Sequence, residues 1–213
     1  MSEAGWQSAA EVVRRAAGLE DRRGRVILGI AGAPGAGKST LAEWIVEELN
    51  HAGLNAVWVP MDGFHFADAA LDALDRRDRK GAIDTFDVDG YHALLTRIRA
   101  DADETIYAPS FDRTIEQPIA GSIAIPPTTE VVVSEGNYLL SDGWEQVRHE
   151  FTEVWFVSLD DQLRIERLID RHIEFGKTPG AAVAWVDAVD NPNATMIANT
   201  MDRADITIHL PLE

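Results

Sequence analysis

The chain contains no cysteine. Disulfides, thiolate metal sites and a cysteine nucleophile are therefore excluded. Lysine is nearly missing too, with Lys38, Lys80 and Lys177 alone, so the basic side chains are mostly arginine. Positive charge as a whole is short: 19 Lys and Arg stand against 36 Asp and Glu, for a net charge of -17 and a pI near 4.6. Such a surface repels polyanions, which argues against nucleic acid or anionic membrane as a partner. No apolar run approaches the length of a membrane span. The segment Met1 to Arg15 carries Glu3 and Glu11 and lacks the apolar centre of a signal peptide. A cytoplasmic, soluble protein is the expectation. Internal repeats and low-complexity tracts are also lacking.

What is present suits one globular unit. At 213 residues, 46% apolar and 26% charged, the chain has enough material for one α/β domain with a full core. Short β-branched runs at Arg25–Ala31, Asn55–Pro60, Glu104–Pro109, Glu130–Ser134, Glu153–Leu159 and Asp205–Leu210 read as strands. Ser122–Ile125 reads as an edge strand among prolines. Helical patterns occupy residues 6–18, 39–49, 67–78, 88–100, 160–175 and much of 179–200. The alternation predicts a mostly parallel sheet with helices on both faces, and ligands beyond the carboxyl ends of its strands.

One stretch organises the rest. Gly32-Ala33-Pro34-Gly35-Ala36-Gly37-Lys38-Ser39-Thr40 fits G-x-x-x-x-G-K-[ST]. Glycines let successive backbone N–H groups curl around a phosphate, Lys38 reaches the β and γ oxygens, and the Ser39 hydroxyl is placed to ligate Mg²⁺. A β-branched run precedes the loop and a helical pattern follows it, with the helix N-terminus favouring anions. The chain is expected to bind a nucleoside triphosphate.

Further candidates fall at strand ends. Glu135 follows three valines, where a second acidic group near Mg²⁺ would sit. Asp62, in Met61-Asp-Gly-Phe-His65, is either an ordinary Asp-Gly turn or a carboxylate that accepts a hydroxyl proton. His65 is a substrate contact or a satisfied loop histidine. Phe64 and Phe66 are expected to pack rather than stack. Arg164, Arg167 and Arg171 recur on one helix face. That stripe suits a lid over triphosphate, with Arg167 and Arg171 preferred to Arg164, although pairing with Glu166, Asp170 and Glu174 would also produce it. Arg113, beside Asp112 in a proline-bracketed loop, could hold an acceptor's carboxylate or hydroxyls, or only tie the loop.

Together these motifs resemble the P-loop small-molecule kinases that include uridine kinase, bacterial pantothenate kinase and phosphoribulokinase. The likeness is greatest to bacterial nucleoside/nucleotide kinase-like, fructose-transport-system kinase-like proteins. It spans Arg25 to Leu210 and rests on residues 32–39, 61–65, 108–113 (Ala-Pro-Ser-Phe-Asp-Arg), 133–138 (Val-Ser-Glu-Gly-Asn-Tyr) and the arginine helix from Asp160. The resemblance implies a P-loop NTPase fold in one domain over 1–213, with a small helical lid near 160–180. It also implies ATP and Mg²⁺ as cofactors and a small-molecule acceptor. Asp62 would be the base, with Lys38, Arg167 and Arg171 catalytic. Ser39 and Glu135 would hold the metal, and Asp62, His65, Asp112, Arg113, Glu135 and Tyr138 the acceptor. Asn191, Asn193 and Asn199, with Arg203, match a late segment near the adenine. Where uridine kinases carry tyrosine this chain has His65, which turns the expectation away from uridine. A homodimer is compatible with this pattern.

A nucleotide-hydrolysing switch is the competing reading. The guanine-reading Asn-Lys-x-Asp is absent, and the Asp-x-x-Gly match at Asp87–Gly90 has no apolar strand before it, so it reads as a loop and helix start.

Overall fold

The computed structural model describes residues 8–100 and 103–211. Helix α1 (Ala9–Ala17) begins at Ser8, whose hydroxyl accepts from the Glu11 N–H, and buries Val12 and Ala16. Residues 6 and 7, included in the expected helix, lie outside the described residues. Strand β1 (Val26–Gly32) is buried along its whole length, as its uninterrupted apolar run requires of a central parallel strand. Helix α2 (Lys38–His51) and strand β2 (Ala56–Pro60) follow. Next come α3 (Asp68–Ala73), α4 (Val88–Arg99), β3 (Ile106–Asp112) and β4 (Gln117–Ile125). The chain continues through β5 (Val131–Gly136), α5 (Glu145–Glu150) and β6 (Glu153–Ser158). It ends with α6 (Asp161–Glu174), α7 (Pro179–Trp185), α8 (Asn191–Ala198) and β7 (Ile206–His209).

Five strands form a fully parallel sheet in the order β2-β5-β1-β6-β7. Successive side chains point to opposite faces. Ile27, Ala31 and Val132 pack on one side with Tyr91, Leu95 and Ile98 of α4. Leu28, Ile30 and Val133 pack on the other with Leu41, Ile45 and Leu49 of α2. The expected α/β architecture, with helices on both faces, is present. No helix among the described residues is long and apolar enough to cross a membrane.

Three local expectations need correction. Strands β3 and β4 pair antiparallel in a two-stranded sheet of their own, so β4 is no edge strand of the main sheet, and it is longer than Ser122–Ile125. Their register shifts between Ala108 and Ser110, at Pro109, which has no N–H for a ladder. The helical segment expected over 67–78 shortens to α3 and a 3₁₀ turn, with Asp75 at φ +54 between them. The segment 179–200 is broken by a π-helical turn at Val186–Asp190. Pro192, lacking an N–H, cannot donate to the carbonyl four residues back, at Ala188 inside that turn. Helix α5 was not legible in the pattern.

Candidate active site

The sheet register assembles the site. Glu135 lies beside Ile30 of β1 on one side and Pro60 of β2 on the other. Asp62 follows two residues after Pro60 in a 3₁₀ turn (Met61–Phe64). The loop 32–40 leaves the same end of β1. Three carboxyl ends therefore bring the loop, Asp62 and Glu135 to one place.

The loop needs its glycines. Gly35 has φ +79, and a Cβ there would stand 2.7 Å from Leu168 Cγ and 2.9 Å from the Arg164 carbonyl. Gly37, at φ +95, begins α2. Both lie in the left-handed region that favours glycine. Lys38 is buried, and its Nζ donates to the Ala33 carbonyl at 3.0 Å. Burial lowers its pKa to about 8; Glu135 and Asp62 oppose that shift, while Arg171 and Arg113 add to it. Burial pushes Glu135 up to about 7, helped by Asp62 and opposed by Lys38, Arg113 and a hydrogen bond with the Ser39 side chain.

Asp62 is different. Burial works against its ionisation, yet His65, Arg113, Lys38 and Arg171 hold its pKa below the usual carboxylate range. Arg113 contributes a direct ion pair, 2.9 Å from Nη2 to Oδ2. His65 Nδ1 lies 2.8 Å from the Asp62 carbonyl. A carbonyl only accepts, so Nδ1 carries the proton and Nε2 of the neutral ring is an acceptor. Burial lowers the His65 pKa, and the ring sits between Phe86 and Phe111 at 4.0 and 4.7 Å.

Two cavities meet here. The larger, about 920 Å³, reaches along the loop to Thr40, Arg167, Leu210 and Pro211. The smaller, about 300 Å³, is bounded by His65, Asp68, Lys80, Asn137 and His172. Lys38, Ser39, Asp62, Arg113, Glu135 and Arg171 line both. They form the wall through which a group could pass from one chamber to the other.

The arginine stripe divides. Arg164 is buried, donating to Asp161 at 2.9 Å, Asn191 at 3.0 Å and the Pro34 carbonyl at 3.5 Å, and so props the loop from behind. Arg167 and Arg171 face the large cavity and make no ion pair among the described residues. Pairing with Glu166, Asp170 or Glu174 does not explain them.

Two expected acceptor residues are placed elsewhere. Tyr138 is fully buried, meets Phe86 edge-on and Trp144 at a tilt, and donates its hydroxyl to the Gly81 carbonyl at 2.6 Å; it belongs to the core. Asp112 turns back to accept from the Thr114 and Ile115 N–H groups and shapes the hairpin turn. Arg203 bonds the Leu140 carbonyl and Asp142, away from both cavities. Asn191 and Asn199 line a separate depression behind the loop, while Asn193 borders the smaller cavity. Phe64 packs against Tyr91, as expected.

Other lining residues went unnoticed in the sequence. Lys80 donates to Asp68 Oδ1 at 2.7 Å and to the Glu116 carbonyl, strapping the α3 segment to the hairpin. Its rarity as a lysine was the available signal. Trp44 and Trp58 line the large cavity although each fits an ordinary packing position in its element.

The model of the phosphoribulokinase / uridine kinase family matches residues 27–211. A Schizosaccharomyces pombe protein provisionally named a uridine kinase is 32% identical over 208 residues, covering 93% of this chain and 88% of its own. The crystal structure of a protein from Silicibacter sp. TM1040, provisionally named a fructose transport system kinase, superposes with a TM-score of 0.83 at 33% identity. It covers 95% of this chain and 98% of its own. Phosphoribulokinase from Rhodobacter spheroides, at 13% identity and TM-score 0.63 over 88% of this chain and 70% of its own, shares the fold.

Proposed function

The chain belongs to the phosphoribulokinase / uridine kinase family, and from that premise we propose that it transfers the γ-phosphoryl group of ATP to a hydroxyl of a small metabolite. The acceptor is a nucleoside, a pantothenate-like molecule or a sugar. One observation carries the reading: Asp62, ion-paired to Arg113, stands in the wall between the loop cavity and the smaller chamber. A carboxylate there can take a hydroxyl proton and aim the oxygen at the γ-phosphorus.

The residues suit Mg²⁺ with a nucleotide. Ser39 and Glu135 supply adjacent oxygens, whereas no group of three or more His, Asp or Glu able to hold a metal occurs among the described residues. Two protein oxygens completed by phosphates and water is the usual Mg²⁺ arrangement. When bound, the ion would neutralise phosphate charge. Lys38 exchanges the Ala33 carbonyl for a phosphate oxygen, and the positive-φ glycines leave room for the phosphates against the backbone. Arg167 and Arg171, which face the cavity and make no ion pair among the described residues, stabilise charge on the transferring group. Arg113 keeps Asp62 ionised, and His65 Nε2 accepts a hydrogen bond from a second acceptor hydroxyl. The low pKa of Asp62 is no obstacle, because a loose transition state lets the proton leave late.

A coupled ADP-release assay with ATP–Mg²⁺ tests this across uridine, cytidine, nicotinamide riboside, pantothenate, fructose, ribose and glycerate. Release that depends on one acceptor is expected. Release indifferent to every acceptor, and equal with GTP, would return the chain to the hydrolytic reading.

A further inference from the structure

The larger cavity does not stop at the phosphate loop. Beyond Asp62 it continues, away from Arg167, Leu210 and Pro211, into a cleft between α2 and the β3–β4 hairpin. Leu41 and Trp44 of α2, Trp58 and Pro60 of β2, and Phe111 and Ile123 of the hairpin line that cleft. These six carry no charge; Glu43, exposed on α2 beside Trp44, and Ser110 are the polar side chains that border them. Trp44 and Trp58 are half-buried and sit on the same face of the sheet. Large aromatics facing open space forgo contacts that an apolar guest would supply.

The contrast with the smaller chamber is chemical. That chamber presents His65, Asp68, Lys80 and Arg113, which suits hydroxyls and charge. Asp62 lies between the two environments.

We propose that the Trp44–Trp58 cleft is a specificity subsite for the non-reacting part of the acceptor, and that this part is an apolar ring or branched chain. The inference rests on the kinase reading above and narrows its acceptor to an amphiphilic alcohol. Bare sugars and short polyols leave the cleft empty and forgo its contacts. The occupant is assigned to the acceptor because the cleft adjoins Asp62, whereas Arg167, Leu210 and Pro211 stand at the opposite end of the cavity beside Gly37. Aromatic side chains around a ring supply large contact area with defined geometry.

Benzyl alcohol serves as the probe, with glycerol as its polar counterpart. The readout is the set of tryptophan indole N–H signals in a ¹H–¹⁵N spectrum, assigned with Trp44→Phe and Trp58→Phe. Benzyl alcohol is expected to shift the Trp44 and Trp58 signals saturably. It should leave unmoved the signal of Trp155, whose N–H is bonded to Glu153 in the core. Glycerol should shift none. Unmoved Trp44 and Trp58 signals, or an equal response at Trp155, would overturn the proposal.

A kinetic arm tests which substrate the cleft serves. Benzyl alcohol should raise the KM of the productive acceptor and leave that of ATP unchanged. Trp58→Ala should raise the acceptor KM about tenfold, again with ATP unaffected. Competition with ATP instead would make the cleft a nucleotide-base site and overturn the proposal. Because the spectral arm needs no turnover, a saturable shift without acceptor-dependent ADP release would count against the kinase reading and not against the cleft.

Discussion

The guanidinium of Arg113 stands 2.9 Å from the carboxylate of Asp62, joining the hairpin to the turn that ends β2. Among the described residues one guanidinium nitrogen is engaged, and the other donors of this half-exposed side chain can face an acceptor. Removing the guanidinium should therefore do two things. Arg113→Met is expected to raise the acceptor KM, and to move the acid limb of the kcat profile to higher pH as Asp62 loses a cation that keeps it ionised. An unmoved limb would show that Arg113 does not tune the base.

Asp62→Asn keeps the shape and removes the proton acceptor. It should lower kcat by ~10²–10⁴ while leaving ATP affinity, measured with a fluorescent analogue, nearly unchanged. Full activity would end its role as base.

Lys38→Ala should abolish turnover without unfolding the protein, because the residue's partner in the unliganded loop is a single carbonyl. Circular dichroism would report the fold, and coupled ADP release the activity. Retained turnover would remove the loop lysine from the chemistry.

The two kinds of arginine on α6 should separate. Arg164→Met breaks three hydrogen bonds of a buried cation and should cost on the order of 2 kcal/mol in urea unfolding. Arg171→Met should lower kcat with stability within about 0.5 kcal/mol of the parent. If both lose stability alike, Arg171 is a structural residue.

Glu135 gives a pH test with a definite sign. Its folded-state pKa is raised from 4.5 to about 7, so between those values the folded chain holds a proton the unfolded chain has released. The stability it contributes is present below pH 4.5 and lost as pH rises through 7. Glu135→Gln lacks that loss. Relative to the parent, the variant should gain on the order of 2 kcal/mol from pH 5.5 to pH 8, a range clear of the pI near 4.6. A gap independent of pH would mean the carboxyl is not perturbed.

Legibility in the sequence followed locality. The loop, the strand ends and the parallel sheet were readable because β-branched runs, glycine spacing and Gly-Lys-Ser signal within a few residues of themselves. Asp62 was ambiguous alone, since an Asp-Gly turn and a base look identical until Arg113 is brought alongside. Tyr138 was misplaced because its neighbours in the chain are at the site while its ring is directed into Phe86 and Trp144. Asp112 was misplaced because its turn is closed by its own carboxylate. The hairpin's independence depended on pairing between β3 and β4, and Trp44 with Trp58 on the approach of a helix and a strand that are distant in the chain.

The β3–β4 hairpin is tied to the turn that carries Asp62 at several named points, among them Arg113 on Asp62 and Phe111 on His65. Pro109 lies so near Gly63 that a Cβ at Gly63 would meet the Pro109 carbonyl at 2.4 Å, and Lys80 ties Asp68 to the turn at Glu116. The nucleotide's anchors are on β1, α2 and α6, which the hairpin does not build. The hairpin nonetheless reaches Asp62 through Arg113, so a hairpin transplanted from a relative would have to keep both Gly63 and Arg113 if it is to change the acceptor side of the cavity and leave the Asp62 carboxylate as it stands.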